Sequence, residues 1–135
     1  MKTIILFFSA LIIAQTSFCQ INLDSIKFTY VRCYATTIIS TPCERFDAQF
    51  ETIPNQKKYK VIKDSEITAF AKILQKFVKI KSNSMDVRGK IEFISKGEKN
   101  KFCFDGSGRF TDGSYFYKNA RLSKLIKKEI PDFCN

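Results

Sequence analysis

The chain has no histidine among its 135 residues, which removes the commonest general base and metal ligand. A Ser-His-Asp or Cys-His arrangement therefore has no means of assembly. No two cysteines form a C-x-x-C pair, so the spacing of a tetrahedral zinc site is missing too. No asparagine begins an Asn-x-Ser/Thr acceptor, and nothing suggests glycosylation. After the first apolar run, no other is long enough to cross a bilayer, which takes about 20 residues. The sequence thus offers no catalytic residue, no metal site and no cofactor motif.

What is present starts with an export signal. Lys2 supplies a positive start, Ile4 to Ala14 form an apolar run of 11 residues, and Gln15-Thr16-Ser17 is polar. That run is too short to span a membrane and suits a signal peptide. Small side chains at Ser17 and Cys19 place the cut after Cys19, so residues 1–19 are read as leader and 20–135 as one secreted domain. Gln20 would be the mature N-terminus. One alternative makes Cys19 an acylated residue and the protein a lipid-anchored structural one; Phe18 argues against it, since the residue before a lipidated cysteine is normally small. A buried N-terminal helix is the other alternative.

Cysteine arithmetic agrees with export. The cut removes one of five cysteines and leaves Cys33, Cys43, Cys103 and Cys134. Four cysteines in a small exported domain read as two disulfides with three connectivities. The pairing expected is Cys33–Cys43, closing a local loop, and Cys103–Cys134, tying the tail to the sheet. Residues 20–135 number 116 and keep 11 of the 14 phenylalanines, enough for one modest core.

The charge is strongly positive, with 23 Lys and Arg against 13 Asp and Glu. Such a balance attracts anionic partners, or simply solvates a surface.

Period-two alternation of Ile26, Phe28 and Tyr30 predicts a first strand over 26–34, and Phe46, Ala48 and Phe50 predict a second. Ala35–Pro42 reads as a connection and Asn55–Lys60 as a basic loop. Ile67, Phe70, Ala71, Leu74, Phe77 and Val78 recur at helical spacing, predicting a long helix over Ser65–Lys81. Asp64 is its candidate N-cap and Glu66 favours its first turn. Val87, Ile91 and Phe93 are assigned one face of a strand over Asp86–Ser95. The Lys96–Asn100 turn leads into Phe102-Cys103-Phe104, with Cys103 facing away from the two rings. Turns at Asp105–Gly108 and Asp112-Gly113 complete a meander through Arg109–Thr111 and Ser114–Tyr117. A shorter helix over Asn119–Glu129 buries Leu122, Leu125 and Ile126, and Pro131 stops it. The fold class is α+β: two layers, an antiparallel meander of about five strands, and both helices on one face.

Asp105 and Asp112 are the conceivable carboxylate pair, but each precedes glycine in a tight turn, which accounts for both without chemistry. Asp105–Phe110 fails as a calcium loop, because Arg109 and Phe110 stand where an oxygen ligand and a glycine belong. It fails as a phosphate loop for want of the glycine spacing and a following Lys-Ser/Thr. Two basic groups remain: Lys72, Lys76 and Lys79 on the long helix, and Lys118, Arg121, Lys124, Lys127 and Lys128 on the short one. Either they form a solvated face or they make an electrostatic surface. Tyr115-Phe116-Tyr117-Lys118 interleaves aromatic and basic side chains, yet strand alternation explains it equally, and export disfavours nucleic acid as a partner.

From Asp64 to Lys128, the capped helix, Asp86-Val87-Arg88, the glycine-turn meander and the last Leu-x-x-Leu-Ile helix resemble small exported bacterial proteins of unknown function. The resemblance implies no activity. The function expected is a periplasmic or extracellular non-enzymatic binding or inhibitor-type module for an anionic envelope component or an acidic protein. The alternatives are a carboxylate- and lysine-based hydrolase and the lipid-anchored protein.

Overall fold

The computed structural model describes residues 22–34, 39–51, 58–62 and 67–134. The leader, Cys19, Gln20, Pro54, Asp64, Ser65 and Glu66 lie outside the described residues.

Among the described residues, seven strands form one antiparallel sheet. In chain order they are β1 (Ser25–Tyr30), β2 (Lys58–Ile62), β3 (Val78–Ile80), β4 (Gly89–Ser95), β5 (Glu98–Phe104), β6 (Arg109–Thr111) and β7 (Phe116–Lys118). Across the sheet they run β2-β1-β4-β5-β6-β7-β3. The helices are α1 (Phe46–Glu51), α2 (Ile67–Ile73) and α3 (Ala120–Glu129). The α+β antiparallel architecture is the expected one, with seven strands where about five were foreseen.

Alternation sets the two faces of the sheet. Ile26, Phe28, Tyr30, Ile91, Phe93, Phe104 and Phe110 point to one side, where Ile67 and Phe70 of α2 and Leu122 and Ile126 of α3 close the main core. Cys103 points to the other side, into a second cluster with Val31, Phe46, Phe50, Met85 and Val87. The two expected helices share a face, and α1 covers part of the opposite one.

Several local readings are corrected. Residues 46–50 are helical, preceded by a 3₁₀ turn at Cys43–Arg45. Spacing of four serves both periods, so Phe46 and Phe50 share a face either way, their ring centroids 5.4 Å apart. Ala48 decides it: a strand would turn it inward, whereas it is exposed. Lys58 to Lys60, expected to end a basic loop, instead open β2, which pairs Ile62 with Ile26 and Lys60 with Phe28.

The long helix is shorter than expected. α2 tightens to a 3₁₀ turn at Leu74–Lys76, Phe77 is extended, and Val78–Ile80 pairs with β7. Asn119 Nδ2 donates to the Ile73 carbonyl at 2.8 Å, satisfying a group freed at the helix end. Phe77 still reaches the core, stacking on Phe102 with centroids 4.5 Å apart, but from extended backbone. Val78, with its β-branch, goes to the sheet edge and not into the core.

Val87 also departs from its assigned face. The strand begins only at Gly89, and Val87 N–H donates to Thr41 O outside it. Val87 therefore joins the second cluster. Gly89 has no side chain because the Phe104 ring occupies that space.

The disulfides connect Cys33 with Cys134 and Cys43 with Cys103, at Cα separations of 5.2 and 5.7 Å. The expected pairing is overturned by the two-sidedness of the sheet. The C-terminal tail packs through Phe133 on the main core, where Cys33 N–H donates to Phe133 O at 2.7 Å. Cys103 faces the other side and meets the start of the α1 segment.

Candidate functional site

The two carboxylates singled out from the sequence occupy opposite ends of β6 and serve the turns there. Asp105 is buried; its Oδ1 accepts from Ser107 N–H and Arg109 N–H, each at 2.9 Å, and from Ser107 Oγ at 2.8 Å. Its Oδ2 accepts from Arg109 Nε at 2.7 Å. A cavity of about 10 Å³ beside it, lined by Gly106, Ser123 and Lys127 among others, has room for roughly one water.

Asp112 Oδ1 accepts from Ser114 and Tyr115 N–H, each at 2.8 Å, and Oδ2 from Tyr117 Oη at 2.8 Å. Burial pushes this carboxyl up, but the Tyr115 and Ser114 amides and the Tyr117 hydroxyl together outweigh it and hold it below the usual range. The Tyr117 hydroxyl is raised in return, first by its bond to Asp112, then by desolvation and the Asp112 charge. Among the described residues no cluster of three or more His, Cys, Asp or Glu is arranged to hold a metal ion.

The eight basic residues singled out from the sequence are all exposed, and the fold distributes them differently. Lys72 and Lys76 stay on α2 and its 3₁₀ extension, while Lys79 leaves the helix for β3. β3 pairs with β7, setting Val78 opposite Lys118 and Lys79 opposite Tyr117. Asn119, the N-cap of α3, follows Lys118, and Arg121 lies in the first turn of that helix. Lys79 and Lys118 therefore lie on adjacent strands but on opposite faces of the sheet edge, with Lys76 in the turn before β3 and Arg121 in the first turn of α3. Lys124, Lys127 and Lys128 lie farther along α3, which ends where Lys60 of β2 bonds Glu129.

Sequence reasoning missed the apolar part of this edge. Val78 is 63% exposed and Tyr115 50% exposed. Lys79 Nζ lies 3.0 Å from the centroid of the Tyr115 ring, a cation–π contact. The Asp112 turn fixes Tyr115 there, and Thr111 Oγ1 donates to Tyr115 O at 2.8 Å. The alternating Tyr115-Phe116-Tyr117-Lys118 stretch was the available signal. Its meaning depended on β3, which a long-helix reading of residues 78–80 concealed.

Comparison with known families, characterised proteins and solved structures finds no match. The site must be read from its own chemistry. An aromatic ring and an aliphatic side chain are exposed at this edge, and exposed lysines stand on both of its faces. No helix among the described residues is long and apolar enough to cross a membrane.

Proposed function

We propose that the chain is an exported, non-enzymatic binding protein that engages an acidic protein through the cations of β3, β7 and the start of α3. The supporting observation is that pairing of β3 with β7 sets Lys79 and Lys118, distant in sequence, on adjacent strands at an edge that also exposes Val78 and Tyr115, with Lys76 and Arg121 in the adjoining segments. The charge excess of the whole chain, +10, supports the same reading, because it steers anionic surfaces towards the protein. Two disulfides suit an oxidising, extracytoplasmic compartment. The carboxylates bind their own turns, which supports a non-enzymatic role.

Polyglutamate and vesicles rich in phosphatidylglycerol provide the test, each titrated at low and high salt. Polyglutamate should bind at low ionic strength, weaken as salt rises, and lose affinity in the Lys118→Glu/Arg121→Glu variant. Binding to vesicles alone would replace the acidic protein with an anionic envelope surface. If neither probe bound at low salt, the electrostatic reading would fall.

A further inference from the structure

We infer that β3 is an open strand edge that takes up an extended segment of a partner protein in which apolar and acidic side chains alternate. This rests on the acidic-partner reading and gives it a place and a mode. Among the described residues β3 is the last strand of the sheet and pairs with β7 alone. Apart from that pairing, no backbone hydrogen bond joins Val78, Lys79 or Ile80 to a described residue. A row of such N–H and C=O groups is a template for one more strand.

The side chains specify what that strand carries. Val78 and Ile80 are in register with Lys118 and Phe116, and Phe116 packs against the second cluster, so both belong to that face. Lys79 is in register with Tyr117, which packs on the main core, so it belongs to the helix face with Tyr115 beside it. Residues of an added strand would therefore lie alternately beside Val78 or Ile80 and beside Lys79. Same-face neighbours on adjacent strands are the unit of sheet stabilisation. Apolar side chains suit the first face and carboxylates the second.

Charge also selects against the simplest competitor, a second copy. Lysine on an edge strand discourages edge-to-edge pairing. Two copies joined through β3 would bring Lys76, Lys79, Lys81 and Lys118 of each towards the same cations of the other. A strand bearing carboxylates meets the opposite condition. The far edge is guarded differently, since β2 turns Lys60 onto Glu129, with Nζ 2.9 Å from Oε2. An inward-turned charge of this kind blunts an edge.

The test titrates the isotope-labelled, oxidised chain with a synthetic peptide alternating valine and glutamate, about seven residues long as strands commonly are. Controls are a valine–lysine peptide and the valine–glutamate peptide N-methylated at alternate amides. Amide shifts should concentrate at residues 77–81 and 115–118, with slowed exchange at Val78–Ile80, for the unmethylated acidic peptide alone. Lys79→Glu should weaken binding about fivefold or more, as reversal of a cross-strand charge pair implies. Equal binding of the methylated peptide, or shifts confined to α3, would overturn strand addition while leaving the acidic-partner reading intact. No binding of either acidic peptide overturns both. A dimer that protects Val78–Ile80 without peptide would make a second copy the occupant, and overturn the inference.

Discussion

Cys103 is bonded to Cys43 on the side of the sheet opposite Phe104, its neighbour in sequence. That arrangement makes each disulfide specific to one face. Cys43–Cys103 holds α1 against the second cluster, and Cys33–Cys134 holds the C-terminal tail beside the end of β1.

Peptide mapping of the unreduced protein should recover Cys33 linked to Cys134 and Cys43 linked to Cys103. The bridges close segments with sequence separations of 101 and 60, both long enough to restrict the unfolded chain strongly. Replacing either pair by serine should cost about 2–5 kcal/mol in chemical denaturation. A fragment joining Cys33 to Cys43 would refute the two-face arrangement outright.

Asn119 links α3 to α2. Its Oδ1 accepts from Leu122 N–H at 3.0 Å, capping α3, while Nδ2 donates to Ile73 O at the end of α2. Asn119→Ala should destabilise the fold by about 1–3 kcal/mol, combining a lost N-cap with a lost partly buried bond. Asn119→Asp should recover the cap but not the bond to Ile73, and so fall between the two. Urea midpoints for the three proteins check the order; equal midpoints for the two variants would deny the cap, and an Asn119→Asp variant as stable as the parent would deny the bond to Ile73.

The sequence is most legible where one period fits and no competitor exists. β1 and α3 follow this rule, as does the turn expected over Lys96–Asn100, although it is confined to Lys96-Gly97, at φ +49° and +79°, and Glu98–Asn100 already belong to β5. Phe46 and Phe50 are ambiguous because a spacing of four satisfies both helix and strand. Val78 and Ile80 continue an apolar pattern that began as a helix, and only the distant β7 reveals them as a strand. The disulfide pairing was partly legible. Parity already turned Cys103 away from Phe102 and Phe104, the face on which the helices and the tail pack. The basic residues were visible as types, but their placement needed the pairing of β3 with β7.

Gly89 stands where the Phe104 ring leaves no room for a side chain. It is also in register with both Tyr30 and Phe104, at the centre of the sheet. Gly89→Ala should therefore cost about 1–3 kcal/mol, because a Cβ must displace a ring packed in the main core. Gly97→Ala provides the contrast: the space around it is open, and its penalty comes from backbone conformation at φ +79°. Adding Phe104→Leu to Gly89→Ala should relieve part of the first penalty and none of the second, as measured in a double-mutant cycle.

Tyr30 gives a pH dependence of known sign. Its hydroxyl donates to Asp132 Oδ1 at 2.9 Å, and its ring meets Phe133 edge-on with centroids 6.2 Å apart. Burial, then the bond to Asp132 and that carboxylate's charge, push the hydroxyl up to about 12 from an ordinary 10.0. Between those values the unfolded chain has lost the proton and the folded chain keeps it, so stability falls as pH rises. The contribution is complete below pH 10.0 and disappears as pH passes through about 12. Tyr30→Phe keeps the ring and removes the titration, and should be less stable by about 1–2 kcal/mol near neutrality. The gap between the two proteins should narrow across the alkaline window, the lysines being common to both. Denaturant midpoints at several pH values measure it, and a gap that stays constant would show that Tyr30 does not titrate late.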